Sequence, residues 1–374
     1  MAESAQSAEA AQTAGSAEAA EAAGSVGSAG PAGSARSGRR PTLDPASGAI
    51  RNAVRAGLGK GGTGAGGAAR AVSRIVVAVS GGADSMALLH ACAFLHRRGE
   101  VEAFAVTVDH GLQPGSAEVA AEVVATAESW GVPAEAVRVD VAAGPEGLEA
   151  GARDARYSAL EAVRARVDAE WIVTAHTRSD QAETVLLGLL RGSGTRSLAG
   201  MAVRTGSVLR PLLDIDRATT EASCTAQRIT VWDDPMNADR AYARVRVRSL
   251  LTSLETDLGQ PVTDNLARTA QLCRADADFL DESAAAAVAE VSGRSEIPVE
   301  RLGELEDAIL TRVLRVWLVS LDVPAQAFGA ARIAELTALI RANVNGRLSL
   351  PGDTEVAVSH GSVRFGPAAK SRRP

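Results

Sequence analysis

Residues 80–85, Ser-Gly-Gly-Ala-Asp-Ser, gather two glycines, two hydroxyls and a carboxylate into one short turn. Before them, residues 75–79 are an unbroken apolar run, the pattern of a strand buried on both faces. After them, residues 86–95 follow helical spacing and end at Arg97, Arg98 and a stop glycine, Gly99. A strand, a small-residue turn and a helix N-terminus together make a cradle for phosphate. Backbone N–H groups point outward there, and the helix dipole favours negative charge. Gly81 and Gly82 let the backbone approach an anion closely, and Ser80 and Ser85 add hydroxyl donors. Asp84 repels phosphate, so its chemistry makes sense as a ligand to Mg²⁺ shared with the phosphates. Two rival patterns fail. Gly62, Gly64 and Gly67 have dinucleotide-loop spacing but precede the first strand, and Gly59-Lys60 is followed by Gly61, not Ser or Thr.

A second cluster lies in residues 173–201, which read as a strand, a polar loop and a helix. His176 and Asp180 bracket the loop, and Gln181 and Glu183 fall in the first helical turn. Arg191-Gly192-Ser193-Gly194 then forms a loop suited to wrapping a phosphate.

The elements that must hold these side chains alternate. Strand patterns cover residues 75–79, 103–108, 136–141 and 171–174, with a short fifth at 208–210. Helical patterns cover 86–95, 117–130, 148–166 and 180–190. This alternation predicts an α/β fold, a doubly wound parallel sheet with helices on both faces and ligands at the carboxyl ends of its strands. Both clusters fall at such ends. From about residue 257 the strand signals vanish. Residues 265–290, 302–321 and 328–341 are helical in pattern, which predicts a smaller, mainly helical C-terminal domain. Residues 347–365 alternate enough for a hairpin.

Composition sets the outer limits. Residues 1–40 are Ala, Gly, Ser and Glu and bury too little apolar surface to offset ordering entropy, so they read as a disordered tail. Residues 41–58 carry an amphipathic helical pattern with Ile50, Val54 and Leu58 on one side, and 59–67 a flexible linker. The expected division is a tail at 1–40, a nucleotide-binding domain at 41–256, the helical domain at 257–366 and a basic tail at 367–374. Net charge is −6, which does not advertise a nucleic-acid binder, although local patches rather than averages bind phosphate. Cys92, Cys224 and Cys273 are scattered, which argues against a disulfide framework or a metal cluster. With no apolar run of transmembrane length and no signal-peptide pattern, the cytoplasm is the expected compartment.

The Ser-Gly-Gly-x-Asp-Ser turn resembles the pyrophosphate loop of the PP-loop ATP pyrophosphatase superfamily. Residues 173–201 resemble the Ala-His-x-x-x-Asp-Gln-x-Glu-Thr and Arg-Gly-(Ser/Thr)-Gly signatures of its tRNA(Ile)-lysidine synthase family. Val108-Asp109-His110-Gly111-Leu112, Ala152-Arg153-x-x-Arg156-Tyr157 and Arg210-Pro211-Leu212-Leu213 match further motifs. Asp233-Asp234-Pro235 with Asn237 and Asp239 resembles another, and the likeness spans roughly residues 42–366. Three positions depart: Thr177 where a second His is common, Ser179 where Asp is common, and Val245 where the family has Asn.

The resemblance implies ATP and Mg²⁺ as cofactors, and free lysine and a CAU-anticodon isoleucine tRNA as partners. ATP adenylates the C2 oxygen of the wobble cytidine, and the lysine ε-amine displaces AMP to give lysidine. It implies that Ser80, Gly81, Gly82, Ala83, Asp84 and Ser85 hold the polyphosphate, with Asp84 as metal ligand, and that Val108 and His110 line the adenine pocket. Arg156 and Arg244 meet developing phosphate charge. Asp180 orients the amine, with His176 as neighbour and proton acceptor. Arg191, Arg246 and Arg248 give an electropositive rim for the anticodon, and residues 257–366 a tRNA-binding domain. Arg244, Arg246 and Arg248 alternate as on an extended segment, which puts them on one face. Plainer roles stand beside these: His176 as a structural histidine, Asp180 as a helix cap, Arg156 and the arginine triplet as solvated charge. His90 and His96 read as helix-surface residues. Two alternatives remain, a PP-loop tRNA thiolase, for which no Cys-x-x-Cys is present, and a non-catalytic ATP-binding module. A homodimer is compatible with the chain, which carries no signal of its oligomeric state.

Overall fold

A computed structural model describes residues 44–59, 72–111, 113, 115–141, 147–234, 239 and 243–368. The expectations for the tail at 1–40, most of the linker at 59–67 and the end of the basic tail lie outside the described residues, as do Leu112, Pro235 and Asn237.

The centre of the larger sheet is β1 (Ser73–Ala78), where Ile75, Val76 and Val77 are wholly buried. It is flanked by β2 (Val101–Asp109) and β4 (Trp171–Val173); β3 (Ala134–Arg138) lies outside β2. The hairpin β5 (Arg204–Thr205) and β6 (Val208–Leu209) completes the order β3-β2-β1-β4-β6-β5. Every pairing is parallel except that of β5 with β6. Successive side chains of a strand point to opposite faces, so one apolar run serves two cores. Ile75, Val77 and Val79 pack with Ile50 and Val54 of α1 (Pro45–Gly57), with α2 (Ala83–Arg97) and with α3 (Ser116–Ser129). Val76 and Val106 pack with Leu160 and Val163 of α4 (Leu148–Arg166) on the other face. His90 and His96 are half-buried rather than surface residues. His90 meets Trp130 edge-on at 5.1 Å, and His96 Nδ1 accepts from the Ala103 N–H at 3.2 Å.

Beyond β4 come α5 (Arg178–Leu190), the single turn α6 (Thr195–Leu198), α7 (Arg217–Gln227) and α8 (Ala243–Leu258). The arginine triplet 244, 246 and 248 is therefore helical, not extended. Val247 and Leu251, four residues apart, bury against Ala182 of α5, and that burial outweighs the alternating pattern. At about 100° per residue, Arg246 points away from the side shared by Arg244 and Arg248.

The long helix α9 (Val262–Val291) runs from this region into a second core. Ala267, Ala270, Ala277 and Ala284 form its buried stripe, and small side chains allow close helix approach. The second core centres on Trp317 of α11 (Asp307–Val319), whose indole N–H donates to the Arg294 carbonyl at 2.7 Å. The C-terminal region holds more strand than the periodicity predicts. The hairpin expected at 347–365 is a meander of β8 (Gly346–Leu350), β9 (Thr354–Ser359) and β10 (Ser362–Pro367), joined along β10 by β7 (Glu296–Pro298). All its pairings are antiparallel. β7 buries only Ile297 and is too short to leave a period-two signal. The helical run expected at 302–321 is divided between α10 (Val299–Gly303) and α11, and α12 (Ala330–Ala342) closes the layer. No helix among the described residues is long and apolar enough to cross a membrane.

Candidate active site

The turn after β1 is held by its own side chains. Ser80 donates its N–H to Ser85 Oγ at 3.1 Å, and Ser85 Oγ donates to the Gly82 carbonyl at 2.9 Å. Gly81 sits at φ +86°, a left-handed conformation that costs glycine little. Its carbonyl accepts from the Trp232 N–H at 2.9 Å, so the chain after α7 braces the turn. Gly82 caps α2 without a side-chain acceptor, which leaves the first-turn N–H groups open to an anion.

This turn borders a cavity of about 390 Å³ at the carboxyl ends of β1, β2 and β4, where the strand order reverses. Ser80, Gly82 and Ser85 line one side, and Val108 and His110 line the end of β2. His176 and Asp180 also line the cavity, at the end of β4 and the start of α5. Gly81, Ala83 and Asp84 are not among the lining residues. Asp84 turns toward α7, where Thr220 Oγ1 donates to its Oδ1 and Arg217 Nη2 to its Oδ2 at 3.3 Å. Burial pushes the Asp84 carboxyl pKa up, the charge of Asp180 adds to this, and Thr220 and Arg217 oppose it. A carboxylate close enough to feel a second one suits a divalent cation, and Mg²⁺ needs only one or two carboxylates besides phosphates and water. Among the described residues no group of three or more His, Cys, Asp or Glu is placed to hold a metal unaided.

Asp180 has a structural role as well. It occupies the third position of α5 and accepts from the Thr177 N–H at 2.7 Å and the Thr177 hydroxyl at 3.0 Å, a capping box that uses one oxygen, Oδ2. His176 shares a hydrogen bond with Thr174 Oγ1 through Nδ1 at 2.8 Å. Burial lowers its pKa to about 4 against the pull of Asp180, with Arg210, Arg153 and Arg244 adding to the fall. The ring is therefore neutral near pH 7. His110 is also held below its ordinary value, by burial and by Arg156, and its buried Nδ1 meets no hydrogen-bond partner among the described residues.

Arg156 lines the cavity, and no carboxylate among the described residues pairs with it. Arg153, stacked over Tyr157 at 5.1 Å, and Arg244 stand close enough to lower its pKa further after burial. Guanidiniums gathered at one place suit a polyanion. Arg244 sits on the exposed first turn of α8 near the cavity, since its charge reaches His176 and Glu183. Arg248 is engaged elsewhere: its Nε donates to the buried Glu183 at 2.8 Å, which ties α8 to α5. Arg246 is exposed on the other side of α8.

The Arg191–Gly194 loop lies at the far end of α5 from Asp180. Arg191 is the C-cap of α5, about 16 Å along the axis from Asp180. Gly192 donates to the Leu189 carbonyl at 2.9 Å and Ser193 to the Gly188 carbonyl at 3.1 Å, so the glycine stops the helix. Gln181 binds Met201 through both ends of its amide, at 2.9 and 2.7 Å, and fastens α5 to the chain beyond α6. Cys92 and Cys224 are buried with thiol pKa values pushed up to about 12 and about 11, and none of the three cysteines lines the cavity. Sequence reasoning missed Arg217 and Thr220. Asp216, which caps α7 through the Thr219 N–H at 2.7 Å, was the available signal for that helix. Nothing local links Thr220 to Asp84.

Comparison with known proteins accords with this geometry. Residues 65–255 match a PP-loop domain, and residues 297–364 match a TilS substrate binding domain. A tRNA(Ile)-lysidine synthase of Salinispora arenicola is 45% identical over 322 residues, 84% of this chain and 94% of that one. The chain belongs to the tRNA(Ile)-lysidine synthase family. The synthase of Streptomyces coelicolor is 48% identical over 289 residues, 74% of this chain and 81% of its own. That of Leifsonia xyli is 42% identical over 302 residues, 78% and 90% of the two chains. In this lysidine synthase family chain, Thr177 supplies both halves of the donor pair that fixes Asp180. The departure from a second histidine thus lies where a hydroxyl has a defined task.

Proposed function

We propose that this chain joins the ε-amine of free lysine to C2 of the wobble cytidine of a CAU-anticodon isoleucine tRNA, consuming ATP and releasing AMP and pyrophosphate. One observation carries the reading. Ser80, Gly82 and Ser85 of the phosphate cradle and the His176–Asp180 pair line the same cavity. ATP and an amine nucleophile would therefore meet over one base.

In the first step the cytidine C2 oxygen attacks the α-phosphorus, and the bond to the β-phosphate breaks. The N–H groups at the start of α2 and the hydroxyls of Ser80 and Ser85 hold the leaving pyrophosphate. Arg156, with Arg153 and Arg244 beside it, offsets charge growing on the α-phosphate. Asp84, near Asp180, would hold Mg²⁺, which neutralises the polyphosphate. In the second step the amine attacks C2, and the C2–O bond to AMP breaks. Asp180 Oδ1, left over from the capping box, orients the ammonium. His176 is neutral, the form that accepts a proton. Val108 and His110 flank the base of ATP, and Arg191 and Arg246 are exposed charges for the tRNA backbone. Residues 257–366 contribute the tRNA-binding domain and 41–256 the catalytic one. The setting we infer is the cytoplasm.

The test is pyrophosphate release from ATP by the purified protein, with and without lysine and the unmodified tRNA. Release that requires this tRNA, with lysine recovered on its wobble cytidine, is the expected result. Release with a different acceptor would discard the substrate, and no release in any combination would leave a nucleotide-binding module.

A further inference from the structure

The contacts of α7 with Asp84 are unequal. Thr220 has no exposed surface, and its hydroxyl is fixed between Asp84 Oδ1 and the Arg217 carbonyl, the latter at 2.8 Å. Arg217 holds Asp84 Oδ2 through one N–H at 3.3 Å, and its side chain is 38% exposed. A guanidinium has five N–H donors, and the remainder of these meet no protein acceptor among the described residues. Arg217 is also the first residue of α7, where a cation opposes the helix dipole. Its placement is electrostatically unfavourable unless an anion lies within reach. Asp84 supplies part of that anion. Asp84 itself stands in the first turn of α2, at the same helix end as the open N–H groups and Ser85.

We propose that Arg217 is a positioning residue for the terminal diphosphate of ATP: its guanidinium exchanges Asp84 Oδ2 for β- and γ-phosphate oxygens while Thr220 keeps Asp84 in place. This rests on the reading of the 80–85 turn as an ATP loop. Arg217 then acts on the leaving group, whereas Arg156, with Arg153 and Arg244 near it, is grouped apart from the Asp84–Arg217 pair. The single long bond to Asp84 makes the exchange inexpensive.

The experiment compares binding of α,β-methylene-ATP and of AMP by calorimetry, using the full chain and its Arg217→Met and Arg217→Lys variants. The expected result is about tenfold weaker binding of the ATP analogue by Arg217→Met, AMP affinity within about twofold, and partial recovery in Arg217→Lys. Equal loss for both ligands would overturn the proposal, since a disturbed α7 would act on both. Unchanged affinity for the analogue would overturn it too. A second pair separates contact from charge compensation. In an Asp84→Asn background, Arg217→Met still weakens the analogue; no effect there would mean that Arg217 only neutralises Asp84. If the unaltered chain binds neither ligand, the ATP-loop reading falls, and this role for Arg217 falls with it.

Discussion

Asp84 and Asp180 each carry a structural bond and, in the proposed mechanism, a chemical task on the same carboxylate. Asp84 is tied to Thr220 and Arg217, and Asp180 to Thr177. Such bonds fix the charge where a substrate must find it. Asp84→Asn keeps the hydrogen-bonding shape but removes the charge. It is expected to reduce pyrophosphate release at least about a hundredfold while shifting the thermal midpoint by only a few degrees. Turnover within about threefold of the unaltered chain would remove Asp84 from the mechanism. The histidines give a pH prediction. His90 and His176 have pKa values of about 4 in the fold against an ordinary 6.5. Between those values the unfolded chain binds protons that the folded chain refuses, so stability rises with pH. The contribution is fully present above about pH 6.5 and is lost as pH falls toward 4. Thermal midpoints should drop between about pH 7 and pH 5, and His90→Gln should flatten that slope. An unchanged slope would mean that other groups set it.

At the scale of elements, α5 links fold to chemistry. Its first turn presents Asp180 to the cavity, and Glu183, one turn on, fastens it to α8 through Arg248. Glu183 is buried and its pKa is raised, first by burial, while Arg248 works against the shift. Removing only the arginine would leave a buried carboxylate alone. Arg248→Met is expected to cost about 1–3 kcal/mol in urea unfolding, and Glu183→Gln in the same chain should recover part of it. Equal stability of the single variant and the unaltered chain would show the pair to be idle. The helix itself was legible from periodicity to within two residues, but the arginine triplet was not. Arg-Val-Arg-Val-Arg alternates like a strand, and only the partner surface on α5 decides that Val247 and Leu251 bury together. α7 was unread because Arg217–Gln227 is rich in Thr and Ser, poor helix formers that bury here: Thr220 and Ser223 face α1 and α2.

At the scale of the whole molecule, the first sheet brings residues from distant parts of the chain to one crevice. Ser80, His110, Arg156 and His176 follow different strands, or precede the next one, and meet where the order reverses at β1 and β4. The long helix α9 packs on α5 and α6 near its start and on α11 near its end, with Arg178 bonded to Asp264 at 2.9 Å and Arg196 to Asp278 at 2.5 Å. Residues 1–40 contain almost no core-forming side chains. A chain lacking them should keep its unfolding midpoint and its rate of pyrophosphate release. A large loss of activity would assign the segment a part in RNA binding that its composition does not suggest.

By itself the sequence determined the alternation of strands and helices, the phosphate turn and the side chains able to handle an amine, because each is written in neighbouring residues through periodicity, glycine and helix-end chemistry. Only the tertiary structure decided which charges are available. It placed Arg248 on Glu183, turned the Arg191 loop into a helix stop far from Asp180, and set Arg217 and Thr220 against Asp84. Those pairings join residues up to 136 positions apart. No local pattern specifies them, since they follow from how helices pack on the sheet.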